Sequence, residues 1–187
     1  MQIIAKFIFY NIMGFKIVGE YPEDLKKFII IGAPHTTNYD FILGVLMKYI
    51  TGVDAHFIGK HTLFKPPYGF IFRALGGTPV DRSKSGNLVQ AIIDIFNEKD
   101  EFVLAMSPEG TRKKVERWKT GFYHIALGAK VPIILNTFDF GKKQYLISEP
   151  YYLTGDKQKD FTFFHNFYKD VKGKFPEQFY PDFHKNV

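Results

Sequence analysis

His35 and Asp40 are separated by four residues in the run Ala33-Pro34-His35-Thr36-Thr37-Asn38-Tyr39-Asp40. The apolar stretch Phe28-Ile29-Ile30-Ile31 precedes this run, ends at Gly32 and Pro34, and reads as a buried strand. A helix opening near Asp40 puts that carboxylate in the first helical turn, within reach of a histidine on the preceding turn. Asp40 then accepts from one imidazole nitrogen, and the other nitrogen is left to take a proton from a substrate. This is the base and orienter of a catalytic triad without a protein nucleophile, so a substrate hydroxyl takes the third place. The same residues also fit a plainer description, with Asp40 as a helix cap and His35 as an ordinary loop histidine.

Two further polar clusters interrupt apolar patterns. Gly76-Gly77-Thr78-Pro79-Val80-Asp81-Arg82 precedes a helix opening at Ser85, and the glycines permit a tight turn. Arg82 near that helix start is suited to an anion, while a solvated Asp-Arg pair in a turn is the plainer alternative. Ser107-Pro108-Glu109-Gly110-Thr111-Arg112 follows the apolar run Phe102 to Met106. Gly110 lets a backbone approach a ligand, Thr111 and Arg112 can donate to phosphate oxygens, and Glu109 can orient Arg112 or hold a substrate hydroxyl. Alone, this cluster is also consistent with a charged β-turn.

The elements that must position these clusters alternate between short β-rich runs and helical patterns, which is the signature of an α/β domain with a sheet covered by helices. Phe28–Ile31, Ala55–Gly59, Phe102–Met106 and Val131–Phe138 are the expected strands. Asp40–Tyr49, Ser85–Phe96 and Trp118–Ala129 are expected helices, and another lies between Phe161 and Pro176. Leu88, Ile92 and Ile95/Phe96 recur at helical spacing, as do Phe122, Ile125, Ala126 and Ala129. No repeat or linker divides the 187 residues, so one domain, 1–187, is expected.

Composition narrows the chemistry. The chain has no cysteine, which excludes disulfides, thiolate zinc sites and a catalytic thiol and is compatible with a reducing compartment. The 25 Lys and Arg exceed the 19 acids, and from Lys60 to Lys130 the count is 12 basic to 7 acidic. The middle of the chain should therefore face anions such as phosphates or acidic headgroups. No nucleic-acid-binding motif accompanies the charge, so no nucleic-acid partner is expected. His56, His61 and His124 show no metal-ligand spacing, and no metal is expected.

The longest stretch free of Asp, Glu, Lys and Arg is the twelve residues Phe28–Tyr39, well short of the about 20 that a spanning helix needs. Residues 1–15 are apolar but short, carry Lys6 and lack a small-residue cleavage site, so they do not read as a secretory signal. They suit either a core helix or a helix lying in a membrane interface. Phe64, Tyr68, Phe70 and Phe72, beside Lys65 and Arg73, suit a lipid-facing patch.

Taken together and in this order, the clusters resemble the glycerolipid acyltransferase family. Its hallmark is a His followed five positions later by an Asp, here His35 and Asp40. Its further blocks match Gly76 to Arg82, Pro108 to Arg112, and the strand start Val131-Pro132-Ile133. Pro34 and Thr37 stand where the family usually has Asn and Ser, and Ser107 where it usually has Phe. These departures bear on which acceptor is used and leave the catalytic groups in place.

The resemblance implies a mixed central sheet flanked by helices and transfer of a fatty acyl group from acyl carrier protein or acyl-CoA to a lysophospholipid hydroxyl. The expected acceptor is 1-acylglycerol-3-phosphate, with no cofactor beyond the thioester. It assigns His35 as general base, Asp40 as its orienter, and Arg82 and Arg112 as a phosphate clamp. Glu109, Gly110 and Thr111 fix the acceptor's position, with Lys60 as a further phosphate contact. A cytoplasmic protein held peripherally on an anionic membrane surface is the matching location. The alternative is a non-catalytic peripheral protein that binds anionic lipid through the same basic cleft.

Overall fold

Strand β2 (Lys27–Gly32) has four consecutive apolar residues because both of its faces are covered. Phe28 and Ile30 belong to one buried cluster with Leu43, Met47 and Phe9, while Ile29 and Ile31 belong to another with Phe122, Ile125 and Phe161. The same alternation separates Val103 from Phe102 and Leu104, and Ile134 from Ile133 and Leu135. In the computed structural model, which describes residues 1–80 and 85–186, these strands form the middle of a seven-stranded sheet.

The other strands are β1 (Lys16–Val18), β3 (Ala55–Lys60), β4 (Gly77–Val80), β5 (Phe102–Met106), β6 (Ile133–Asp139) and β7 (Gln144–Ile147), in the order β1-β7-β6-β2-β5-β3-β4. Among the described strands only β6 and β7 pair antiparallel, so the sheet is mixed.

The chain runs outward from β2 to β3 and β4, then returns through β5 to β6. Right-handed crossovers in opposite directions must lie on opposite faces. Accordingly, α2 (Tyr39–Thr51) packs on one face together with α1 (Gln2–Phe7), and α4 (Ser85–Glu98), α5 (Gly121–Ala129) and α6 (Lys157–Tyr168) pack on the other. The carboxyl ends of β2 and β5, neighbours in parallel register, lie where the two directions part. Such a switch point is where sheets of this kind bind ligands.

The expected strands and helices are present, with altered limits. Trp118 precedes α5 instead of opening it, because Thr120 begins the first helical hydrogen bonds to Tyr123 and His124. Trp118 is buried and stacks on Phe183 at 3.7 Å between centroids. The helix α6 starts earlier than its aromatic run, because the Asp156 side chain accepts from the backbone N–H of Lys159. Gly77–Val80, expected as a turn, is an edge strand paired only with β3, a place where Pro79 needs no N–H. The short strands β1 and β7 and the helix α3 (Gly69–Ala74) add elements that no periodicity marked.

Asp160, fully buried on α6, accepts from Tyr123 Oη at 2.8 Å, Tyr151 Oη at 2.8 Å, Thr154 N at 3.0 Å and Thr154 Oγ1 at 2.7 Å. Burial pushes its carboxyl up, but these bonds outweigh it and hold the group below the usual carboxylate range. Among the described residues, no helix is long and apolar enough to cross a membrane.

Candidate active site

The loop that leaves β2 folds back on the start of α2, and the sequence dictates how. Asp40 lies in the first turn of α2, where a carboxylate is favoured by the free N–H groups and the helix dipole. Its Oδ2 accepts from the backbone N–H of Thr36 and of Thr37, each at 2.9 Å. The same oxygen lies 3.2 Å from His35 Nδ1. An acceptor at that position favours the tautomer with the proton on Nδ1, leaving Nε2 as the free base. The His35 side chain is 25% exposed and that of Asp40 9%, so the imidazole reaches the surface while its orienter stays covered.

The second loop, after β5, meets the first. Glu109 Oε2 accepts from the backbone N–H of His35 at 2.9 Å. The Glu109 side chain is buried, and its Oε1 has no hydrogen-bond partner. Burial pushes this carboxyl up to about 7; the His35 hydrogen bond opposes the shift and the nearby Asp40 charge adds to it. Glu109 was expected to orient Arg112 or hold a substrate hydroxyl. In the structure its Oε2 fixes the histidine loop, and its Oε1 is buried without a hydrogen-bond partner. The N–H groups of His35, Thr36 and Thr37 are all committed to carboxylates, which removes them as oxyanion donors in this state.

Gly110 adopts φ +65, a left-handed conformation that favours glycine. The Lys119 side chain lies over it, so close that an added Cβ would stand 3.0 Å from its ammonium nitrogen. Lys119 N also donates to Pro108 O at 2.8 Å, so this lysine belongs to the loop although no sequence pattern singles it out. Thr111 Oγ1 accepts from Lys113 N at 3.3 Å, and Arg112 is exposed. Lys60 ends β3 at the same edge of the sheet, exposed, one strand beyond β5. Arg82 lies outside the described residues.

The C-terminal segment forms one wall, which no sequence pattern announced. Phe175 N donates to Thr36 Oγ1 at 3.3 Å. The Gln178 amide, oriented to satisfy its neighbours, donates to Thr36 O at 3.0 Å and to Arg112 O. Gly173 packs against Pro34 and Thr36, and Lys174 Nζ stands 3.3 Å from the centroid of the Tyr39 ring. The segments that meet the His35–Asp40 loop thus carry the cationic residues Lys119, Arg112 and Lys174. The arrangement can take a proton from a hydroxyl borne by an anionic molecule.

Comparison with known proteins agrees with this geometry. Residues 15–135 match the family model described as Acyltransferase. The chain is 31% identical over 168 residues to the 1-acyl-sn-glycerol-3-phosphate acyltransferase of Haemophilus influenzae, covering 78% of this chain and 68% of that one. It is 29% identical over 131 residues to the enzyme of the same name from Escherichia coli, covering 66% of this chain and 52% of that one. For the Saccharomyces cerevisiae enzyme of that name the identity is 32% over 151 residues, covering 71% and 47%. The chain therefore spans about half to two thirds of the length of these relatives. The crystal structure of the 1-acyl-sn-glycerophosphate acyltransferase PlsC from Thermotoga maritima shares the fold, with a TM-score of 0.52 and 18% identity over 82% of this chain and 73% of that one. With the family model spanning most of the chain and both carboxylates meeting at His35, the protein belongs to the acyltransferase family, in its glycerolipid, lysophosphatidate-acyltransferase-like group.

Proposed function

We propose that the protein transfers a fatty acyl group from a thioester, acyl carrier protein or acyl-CoA, to the hydroxyl of a lysophospholipid of the 1-acylglycerol-3-phosphate class. The observation that carries this reading is the His35–Asp40 pair, 3.2 Å between Nδ1 and Oδ2, on a loop held by Glu109. His35 Nε2 takes the proton of the acceptor hydroxyl as its oxygen attacks the thioester carbonyl. Asp40 stabilises the imidazolium that forms. The C–S bond then breaks, and the proton passes from His35 to the departing sulfur, so one ester forms for each thiol released.

Arg112, Lys119 and Lys60 supply positive charge for the acceptor phosphate, with Arg82 assigned to the same clamp by its place in the sequence. Gly110 and Thr111 present the backbone and hydroxyl of the loop, and Glu109 supports the acceptor site by holding the His35 backbone. The chain itself needs no cofactor for these steps.

A peripheral position on an anionic membrane, on the cytoplasmic side, fits an exposed apolar face. Ile3 is 83%, Phe7 57% and Ile12 67% exposed, while Ala5 and Phe9 point into the core. Tyr39, Ile42 and Tyr49 of α2 and Tyr68, Phe70 and Ile71 around α3 extend the exposed apolar surface. Phe64, expected in this lipid-facing patch, is instead buried, and Phe72 packs against Phe41 and Phe64. The remaining aromatics, with Lys6, Lys65 and Arg73, suit an interface between headgroups and acyl chains.

The test is thiol release from acyl-CoA or acyl carrier protein, in the presence of a panel of lysolipids, with His35→Ala as the control. Release that requires both an acceptor and His35 is the expected result and identifies the acceptor. Vesicle binding with no release from either donor would overturn it in favour of a non-catalytic lipid-binding protein.

A further inference from the structure

Away from the transfer site, three potential ligands converge on the far end of the C-terminal segment. His165 lies in the last turn of α6, and Asp182 and His184 flank Phe183 in the terminal turn. One ligand-type atom from each lies within 4.8 Å of the other two. The His165 and His184 rings face each other with centroids 3.9 Å apart. His184 Nδ1 is buried without a hydrogen-bond partner. An orphaned imidazole nitrogen of this kind carries a desolvation cost that a bound ion relieves.

We infer that His165, Asp182 and His184 form a binding site for a divalent transition-metal ion of the zinc class. Two imidazoles and one carboxylate are a donor set for Zn2+ and its neighbours, whereas Mg2+ and Ca2+ take mainly oxygen ligands. Tetrahedral Zn2+ with ligand bonds of about 2.0–2.2 Å places donors roughly 3.3 Å apart, so the cluster closes on the ion by small side-chain rotations. Three protein donors leave the fourth position for water. Nothing in acyl transfer passes through this ion.

Its place in the fold assigns it a role. Asp182 and His184 belong to the strap that runs past Gly173, Phe175 and Gln178 over the His35 loop. Between the two ligands, Phe183 is fully buried against Trp118. An ion joining this turn to α6 pins the strap beyond Gln178. The sequence expectation of no metal weighed His56, His61 and His124; His165 and His184 sit in separate elements and come together only through the packing of the terminal turn.

The experiment uses the full chain, stripped with a chelator, and titrates it with Zn2+ by calorimetry and with Co2+ by visible absorption. The expected result is one saturable site, the intense absorption of tetrahedral Co2+, and a rise in melting temperature with Zn2+. His184→Ala and Asp182→Asn should each weaken binding by at least the roughly 10–100-fold that even an outer partner of a metal ligand is worth. Both should lose the Zn2+-dependent rise in melting temperature. Asp182→Asn keeps size and shape, so it serves if His184→Ala fails to fold by circular dichroism. No saturable site in the wild-type chain, or binding unchanged in the folded variants, overturns the inference.

Discussion

Glu109 on the loop after β5 holds the backbone N–H of His35 on the loop after β2, at 2.9 Å. The two sequence blocks are therefore mechanically one unit: the second positions the first through its main chain. Asp40 does the same from the other side, through Thr36, Thr37 and the imidazole itself. The geometry at His35 thus rests on two carboxylates, one expected from the spacing and one whose contact only the fold reveals.

The first prediction separates proton transfer from loop support. His35→Ala should lower acceptor-dependent thiol release by about 10²–10⁴-fold with little change in melting temperature. Asp40→Asn retains an oxygen for the loop N–H groups but disturbs the imidazole tautomer, so kcat should fall similarly with KM nearly unchanged. Asp40→Ala also strands the N–H groups of Thr36 and Thr37 and should cost about 1–3 kcal/mol in urea unfolding. Equal activity of Asp40→Asn and wild type would remove Asp40 from the mechanism.

Glu109 makes stability depend on pH. Its carboxyl titrates near 4.5 when unfolded and at about 7 in the fold. Between those values the folded state keeps a proton that the unfolded state has lost, so stability falls as pH rises through that window. The maximum effect is about 3 kcal/mol. Glu109→Gln carries no such titration, so its stability relative to wild type should increase from pH 5 to pH 8. Urea unfolding of both proteins at several pH values measures the difference, and a flat difference would mean an ordinary carboxyl at this position.

On the proposed peripheral membrane position, the exposed apolar face of α1 should set membrane affinity. Burying a side chain of the size of Phe or Ile stabilises by about 1.5–3 kcal/mol, so Phe7→Asp and Ile3→Asp should each weaken vesicle binding by about tenfold or more. Sedimentation with vesicles containing anionic lipid reads the change. Lipid binding indifferent to both substitutions would move the contact surface away from α1.

Asp160 should behave as a structural acid. Removing its carboxylate in Asp160→Ala leaves the hydroxyls of Tyr123, Tyr151 and Thr154 without their acceptor, at a cost of roughly 2–4 kcal/mol. Because the folded group sits below its ordinary value of 3.8, its contribution is present above that pH and is lost as pH falls through the folded value. The gap between the thermal melts of wild type and variant should therefore narrow only in strong acid.

How much of this was legible depended on how local each signal was. β2, β5 and β6 showed themselves because burial on both faces demands unbroken apolar runs, and α4 and α5 because one face alone is buried. His35 and Asp40 were legible because a loop and a first helical turn bring them together without help from the rest of the chain. Lys119, Lys174 and Gln178 were not, since each reaches the site from another element and carries no pattern of its own. β4 was hidden for a related reason: Gly77 and Pro79 have poor strand propensity, and only pairing with β3 makes them extended.

The two edge strands of the sheet bear on how copies of the chain meet one another. β1 is three residues long and begins with Lys16, while β4 is four residues long and contains Pro79. A short strand with a charge and a short strand lacking one N–H are poor templates for another chain. Among the described residues, neither edge therefore offers a neighbouring molecule a long ladder to extend, and close approach of two copies does not favour joining sheet to sheet.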